Sequence, residues 1–228
     1  MKINFLTLFP SYFNPFVDES IINKAIQKGL IDIKVIDFRD FSRSKHRKVD
    51  DEIYGGGHGL LLQIEPIDLA LKSLENNGGY KILVSPQGKK FTQEMANNLA
   101  KKDQITFISG RYEGFDERVV SLVDEEISIG DYVLTGGELP SMVMADSIIR
   151  LVPGVIREES HIYDSFQNDG LLDYPQYTRP RIYNGMEVPE VLVNGNHKQI
   201  QEWKEKARYE KTLKNRPDII ERMKNHAK

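Results

Sequence analysis

The residues of this 228-residue chain best suited to hold a ligand fall in three short glycine-bearing stretches. They read Leu83-Val84-Ser85-Pro86-Gln87-Gly88, Gly110-Arg111-Tyr112-Glu113-Gly114 and Ile129-Gly130-Asp131-Tyr132-Val133-Leu134-Thr135-Gly136-Gly137. A residue without Cβ reaches unusual backbone angles at little cost and lets main-chain N–H and C=O groups come close to a bound molecule. Tyr132, Val133 and Leu134 add an apolar surface that can pack on a ring system, and Glu113 and Asp131 place carboxylates nearby. Such a set suits a flat polar ligand, neutral or cationic, better than a polyphosphate. Phosphate cradles are missing from the sequence: Gly55-Gly56-Gly57-His58-Gly59 runs into Leu60 instead of a Lys and hydroxyl pair, and no G-x-G-x-x-G occurs. Any single loop of this kind can equally be a turn of the chain, and its recurrence after three strands is what favours a site.

The elements that must position these loops can be read from periodicity. Lys2 to Phe9, Ile31 to Phe38, Tyr80 to Val84, Ile105 to Ser109 and Glu126 to Ile129 have the apolar runs of buried strands. Between them, helical spacing covers Asp18 to Lys28 with Gly29 as its stop, Pro66 to Glu75, a segment capped by Thr92, Phe115 to Val123, and Leu139 to Leu151. Strands and helices in alternation predict an α/β fold: a parallel sheet with helices on both faces, whose ligands gather at the carboxyl ends of strands. The three glycine loops should then share one edge. Arg39 to Gly59 is long for a passive connection. After Pro153-Gly154 the chain turns polar, and Lys198 to Leu213 and Pro217 to Asn225 predict two helices with Ile200, Trp203 and Ala207 facing inward. The expected organisation is an α/β domain over 1–154, a linker over 155–181 and a small helical domain over 182–228.

Composition narrows the function classes. With no cysteine there is no disulfide framework, thiol nucleophile or thiolate metal site, and the five scattered histidines offer no metal-ligand spacing, so a structural metal is not expected. Nothing approaches the ~18 consecutive apolar residues of a membrane span, and the N-terminus lacks the marks of a signal peptide, which fits a cytoplasmic protein. Net charge is −3, unevenly spread: His197 to Lys228 holds ten Lys or Arg against five acids, and Arg39, Arg43, Lys45, Arg47 and Lys48 form an island beside Asp40. Two basic surfaces on an acidic body suit a polyanion held at chosen places, although charges paired along a solvated helix produce the same count.

Read together, the longer blocks resemble one family. Leu8-Phe9-Pro10, Tyr54-Gly55-Gly56-Gly57, Leu83 to Gly88, Gly110 to Gly114, Ile129 to Leu134, Gly136-Gly137-Glu138-Leu139-Pro140, Asp164-Ser165-Phe166, Tyr177-Thr178-Arg179-Pro180 and Gly185-Met186-Glu187-Val188-Pro189 are similar, in order, to the bacterial tRNA (guanine-N1)-methyltransferases. Departures fall at His58, at Gln176 and in Gln167-Asn168-Asp169. The resemblance implies the SPOUT class, whose cofactor domain is threaded as a trefoil knot, S-adenosylmethionine as methyl donor, and the tRNA guanine just 3′ of the anticodon as acceptor. It implies cofactor binding and dimerisation by 1–154, a linker over 155–181 that carries the catalytic Asp, tRNA binding by 182–228, a homodimer in which the linker of one protomer completes the site of the other, and assistance by Mg²⁺.

Carried over residue by residue, the resemblance assigns donor binding to Leu83, Val84, Ser85, Pro86, Gly88, Gly110, Arg111, Tyr112, Glu113, Gly114, Ile129, Gly130, Asp131, Tyr132, Val133, Leu134, Gly136 and Gly137. Guanine N1 bears a proton and has no free lone pair, so its methylation requires a base; Asp164 matches the family's base, Arg150 the cation that meets charge developing on guanine O6, and Glu113 an acid near the transferring methyl or an ion. Read without the resemblance, Asp164 is better taken as a solvated linker acid and Arg150 as a helix C-terminal charge. A SPOUT methyltransferase for another RNA, or an RNA-binding module without catalysis, are the alternatives.

Overall fold

Alternation at a period of two decides the centre of the molecule. In chain order the strands are β1 (Lys2–Thr7), β2 (Asp32–Asp37), β3 (Asp50–Glu52), β4 (Leu60–Leu62), β5 (Tyr80–Lys90), β6 (Gln104–Ser109) and β7 (Glu125–Ser128). The helices are α1 (Asn14–Asp18), α2 (Ser20–Gln27), α3 (Ile64–Ser73), α4 (Gln93–Leu99) and α5 (Glu138–Ile149). Five strands form one parallel sheet in the order β2-β1-β6-β5-β7. Successive side chains point to opposite faces, so Ile3 and Phe5, Ile105 and Phe107, and Ile82 and Val84 serve one layer, packed with Ala25, Leu99, Ala145 and Ile148. Leu6, Leu83 and Ile108 serve the other, packed with Ile67, Leu71 and Val119. Phe5 and Phe107 stand opposite each other in register and stack at 5.5 Å. Strands buried on both faces with helical crossovers are the expected outcome for such near-continuous apolar runs.

The computed structural model describes residues 1–157, 161 and 164–226. They group into two compact units, Met1–Arg157 and Glu158–Lys228. Among the described residues no helix is long and apolar enough to cross a membrane.

Local signals act as their chemistry dictates. Thr92 caps α4, its hydroxyl accepting from Met95 N at 3.2 Å, and Gly29 ends the turn after α2 with φ +70°. Three expectations need correction. Phe115 to Val123 is not an α-helix: a 3₁₀ segment, Glu117–Leu122, is closed by Asp116, whose carboxylate accepts from Arg118 N. The segment is only six residues long, a length at which the tighter winding is tolerated. The stretch from Arg39 to Gly59 is not all loop, because Asp50–Glu52 and Leu60–Leu62 pair as an antiparallel hairpin. Ser85 to Gly88 does not end its strand: Ile127 lies opposite both Val84 and Lys89, so the intervening residues bulge out of the ladder and β5 resumes.

The second unit contains a two-stranded ribbon, β8 (Ile182–Tyr183) with β9 (Met186–Glu187), and the predicted helices α6 (His197–Asn215) and α7 (Pro217–His226). Asn196 caps α6, accepting from Gln199 N at 3.2 Å. Ile200, Trp203 and Ala207 are half-buried, while Thr212, Ile219 and Ile220 are the buried residues between the helices and their surroundings. The linker expected over 155–181 is described except at 158–160, 162 and 163. Part of it is tied to α6: Asp169 pairs with Arg208 Nη2 at 2.7 Å, Leu172 N donates to Thr212 Oγ1 at 3.0 Å, and Phe166 lies 5.7 Å under the Arg216 guanidinium.

Candidate donor-binding cleft

The carboxyl edge of the sheet opens into a cleft of about 230 Å³. Its walls are the β5 bulge, the loop after β6 and the loop after β7, so the three glycine stretches meet in one place. Val84, Ser85 and Pro86 form one side; Gly110, Arg111, Tyr112, Glu113 and Gly114 a second; Ile129, Gly130, Tyr132, Val133, Leu134, Gly136 and Gly137 a third. Three of the residues expected there stand off its wall. Leu83 is 1% exposed within the core, Gly88 lies at the far end of the bulge against the backbone of Glu126 and Ile127, and Asp131 pairs with Lys90 at 3.3 Å. Phe115, Ile127, Ser128, Thr135 and Pro140 also line the cleft without having been assigned to donor binding. They flank the glycines in sequence, and only contact geometry separates them from ordinary core.

Two glycines are dictated by close approach. A Cβ at Gly137 would lie 2.7 Å from Gly110 N and 2.8 Å from Ser109 Cα, because Gly137 N donates to Gly110 O at 2.9 Å and draws the two loops together. A Cβ at Gly136 would lie 2.4 Å from Arg111 Nε. On the β7 side, Ser128 Oγ donates to Gly130 O at 3.0 Å and accepts from Gly130 N at 3.2 Å, which fixes the loop's first turn. Tyr132 and Val133 remain 56% and 83% exposed, an apolar surface open to whatever enters.

The loop carrying Glu113 is braced from outside the sheet. Leu60 O accepts from Glu113 N at 3.2 Å, Leu62 N donates to Gly114 O at 2.9 Å, and Asp116 N donates to Leu62 O at 2.9 Å, so the β3–β4 hairpin continues into this loop by main-chain bonds.

Arg111 is half-buried between elements that sequence periodicity did not link. Its Nη2 lies 3.0 Å from Glu138 Oε2, its Nη1 donates to Thr135 O at 3.2 Å, and its guanidinium covers the Phe9 ring at 4.5 Å and the Tyr12 ring at 5.1 Å. Burial alone would lower the Arg111 pKa; hydrogen bonding to Tyr12 and Glu138 outweighs it and raises the value. Glu138 itself was legible only as an acid in the first turn of a helix, the ordinary place for one.

Arg150 forms the C-cap of α5, half-buried, its N–H bonded to Asp146 O at 3.2 Å. Asp164 is half-buried in a turn of the second unit, where its carbonyl accepts from Gln167 N at 3.2 Å. Among the described residues no three His, Cys, Asp or Glu side chains gather as a metal site.

An apolar, aromatic-edged cleft of this size, with two loops too close for any Cβ between them, suits a flat polar ligand, neutral or cationic. Comparison with known proteins agrees with that character. A family model described as tRNA (Guanine-1)-methyltransferase TrmD matches residues 1–222. A protein of Mycoplasmopsis synoviae (strain 53) called tRNA (guanine-N(1)-)-methyltransferase is 77% identical over 225 residues, covering 99% of each chain. Proteins of the same name from Mycoplasmopsis agalactiae and Mycoplasmopsis pulmonis are 75% and 63% identical, covering 100% and 99% of this chain and of themselves. Matched along nearly its whole length, the chain belongs to the tRNA (Guanine-1)-methyltransferase TrmD family.

Proposed function

We propose that this protein transfers a methyl group from S-adenosylmethionine to N1 of the guanine 3′ of the tRNA anticodon. The observation that carries the reading is the convergence of three glycine stretches on one cleft at the carboxyl edge of a parallel sheet, in a chain of this family. When bound, the donor supplies an electrophilic methyl on a positively charged sulfur. The protein's own residues do the rest. Backbone groups of Gly110, Gly130 and Gly137 approach the donor, and Tyr132, Val133 and Leu134 cover its flat part.

Asp164 takes the N1 proton, so that the lone pair needed for attack is released as the methyl arrives. Arg150 meets the negative charge that develops on guanine O6. Glu113 has a subtler part: a carboxylate beside the sulfonium steadies the donor, yet that attraction fades as the charge is lost, so alone it favours the ground state over the transition state. The chain offers no resident metal cage among its described residues; Mg²⁺ brought with the RNA would be held by phosphates and at most Glu113.

The working form in this proposal is a homodimer, in the cytoplasm where tRNA is found. Support for self-association comes from α5, which leaves Leu139 and Val143, one turn apart, 52% and 50% exposed. A knotted threading of the cleft loops is part of the same reading; the Gly137 to Gly110 bond, which holds the two loops in contact, is compatible with it. Methyl transfer from labelled donor to a tRNA transcript tests the proposal. Incorporation should occur with the natural transcript and vanish when the guanine beside the anticodon is replaced; equal labelling of both would refute the assignment of the target.

A further inference from the structure

At the wall of the cleft a half-buried Arg111 meets a buried Glu138, a charge pair to which the proposed reaction gives no task. Glu138 is 1% exposed; its Oε1 accepts from Thr7 Oγ1 at 2.8 Å and its Oε2 faces Arg111 Nη2 at 3.0 Å. Through Arg111 the pair joins the end of β1, the loop after β6, the loop after β7 and the head of α5. As a fastening it is a poor choice. Taking two charges out of water is expensive, and an apolar pair of similar volume commonly holds a core as well or better. The bonding is also incomplete: among the described residues, Arg111 Nε is buried without a hydrogen-bond partner, and Glu138 Oε2 has only its ion pair with Arg111. Charge kept under those conditions points to a use for the charge itself.

The use follows from what the cleft would hold. Arg111 forms part of its wall, and the donor of the proposed reaction carries a positive sulfonium while the spent product is a neutral thioether. A guanidinium without its counter-ion at that wall would repel the first and not the second. We propose that Glu138 is a positioning residue that sets the charge of the donor site: it neutralises Arg111, so the cleft admits a cationic donor, and the resulting pair holds the glycine loops at their spacing. This rests on the donor reading above.

Calorimetric titration of S-adenosylmethionine and S-adenosylhomocysteine separates the two. Glu138→Gln keeps the shape and the acceptor for Thr7 but removes the charge. Its affinity for the sulfonium donor should fall on the order of tenfold more than its affinity for the thioether. The ratio within one preparation is insensitive to any misfolded fraction. The apolar replacement Arg111→Met with Glu138→Leu, free of both charges, should return the ratio to the wild-type value, and it serves where the single variant does not fold. Equal weakening toward both ligands in Glu138→Gln, or a ratio in the charge-free pair as low as that predicted for Glu138→Gln, would overturn the assignment. Wild-type protein that binds neither ligand would instead remove the donor reading itself.

Discussion

Replacing Gly137 by alanine gives the sharpest test of the cleft, because nothing but space is in question there. Its φ of −84° is one any residue adopts, so the substitution brings no backbone strain of its own. The added Cβ would stand 2.7 Å from Gly110 N, 2.8 Å from Ser109 Cα and 3.1 Å from Ser109 C, all main-chain atoms that cannot swing aside as a flexible side chain would. Relieving the overlap means parting the loops by roughly 1 Å, which stretches the 2.9 Å bond between Gly137 N and Gly110 O. Overpacking of this kind costs about 1–3 kcal/mol. The lost hydrogen bond adds about 1 kcal/mol. If the loops part, the cleft deforms and the strain appears as lost donor affinity, ~30-fold or more at 1.4 kcal/mol per decade. If they stay together, it appears as lost stability, with Tm lower by about 2–4 °C per kcal/mol. Calorimetry with S-adenosylmethionine and a thermal melt, run on the same samples, capture both routes. A variant with wild-type affinity and wild-type Tm would refute the argument that the loops are held in contact by the absence of a Cβ.

Other outcomes follow from features on different parts of the molecule. Phe107→Ala empties a ring stacked on Phe5 in the middle of the sheet and should destabilise by about 3–5 kcal/mol in chemical denaturation, with a smaller loss pointing to a core that collapses around the gap. Asp164→Asn should abolish methyl transfer while leaving donor affinity near wild type; turnover retained at the original rate removes it as the base. The Asp116 carboxylate accepts from Arg118 Nε at 2.9 Å and Nη2 at 2.6 Å, and this bonding holds its pKa below the ordinary carboxylate value against the opposing pull of burial. A folded-state pKa below the unfolded one gives stability that is complete above pH ~4 and is lost as pH falls through the folded value. Arg118→Ala should therefore move the acid-unfolding midpoint to higher pH, and an unmoved midpoint contradicts the coupling.

How far the sequence foretold this molecule depends on the range of the interaction involved. Ile3, Phe5, Ile105 and Phe107 declared their strands because burial on a sheet face repeats every second residue, and Thr92 and Gly29 marked helix ends through bonds spanning a few positions. The glycine stretches were visible for the same reason, and their meeting at one edge followed from the parallel topology. What stayed hidden was set by partners far along the chain. Nothing near Glu138 announces that Thr7 and Arg111 would bury it. The hairpin of Asp50–Glu52 with Leu60–Leu62 was lost among glycines, its strands too short for alternation to register. At the β5 bulge, Ser85-Pro86-Gln87-Gly88 has the composition of a turn, and only pairing of Ile127 with residues on both sides reveals that the strand continues.

The bracing of the Glu113 loop by that hairpin has a mechanical side. Because β4 is bonded to it by three main-chain links, the loop cannot shift as a free flap. The same hairpin carries Tyr54, 99% exposed, in the turn between its strands, so a large partner that touches Tyr54 meets the element that braces the cleft.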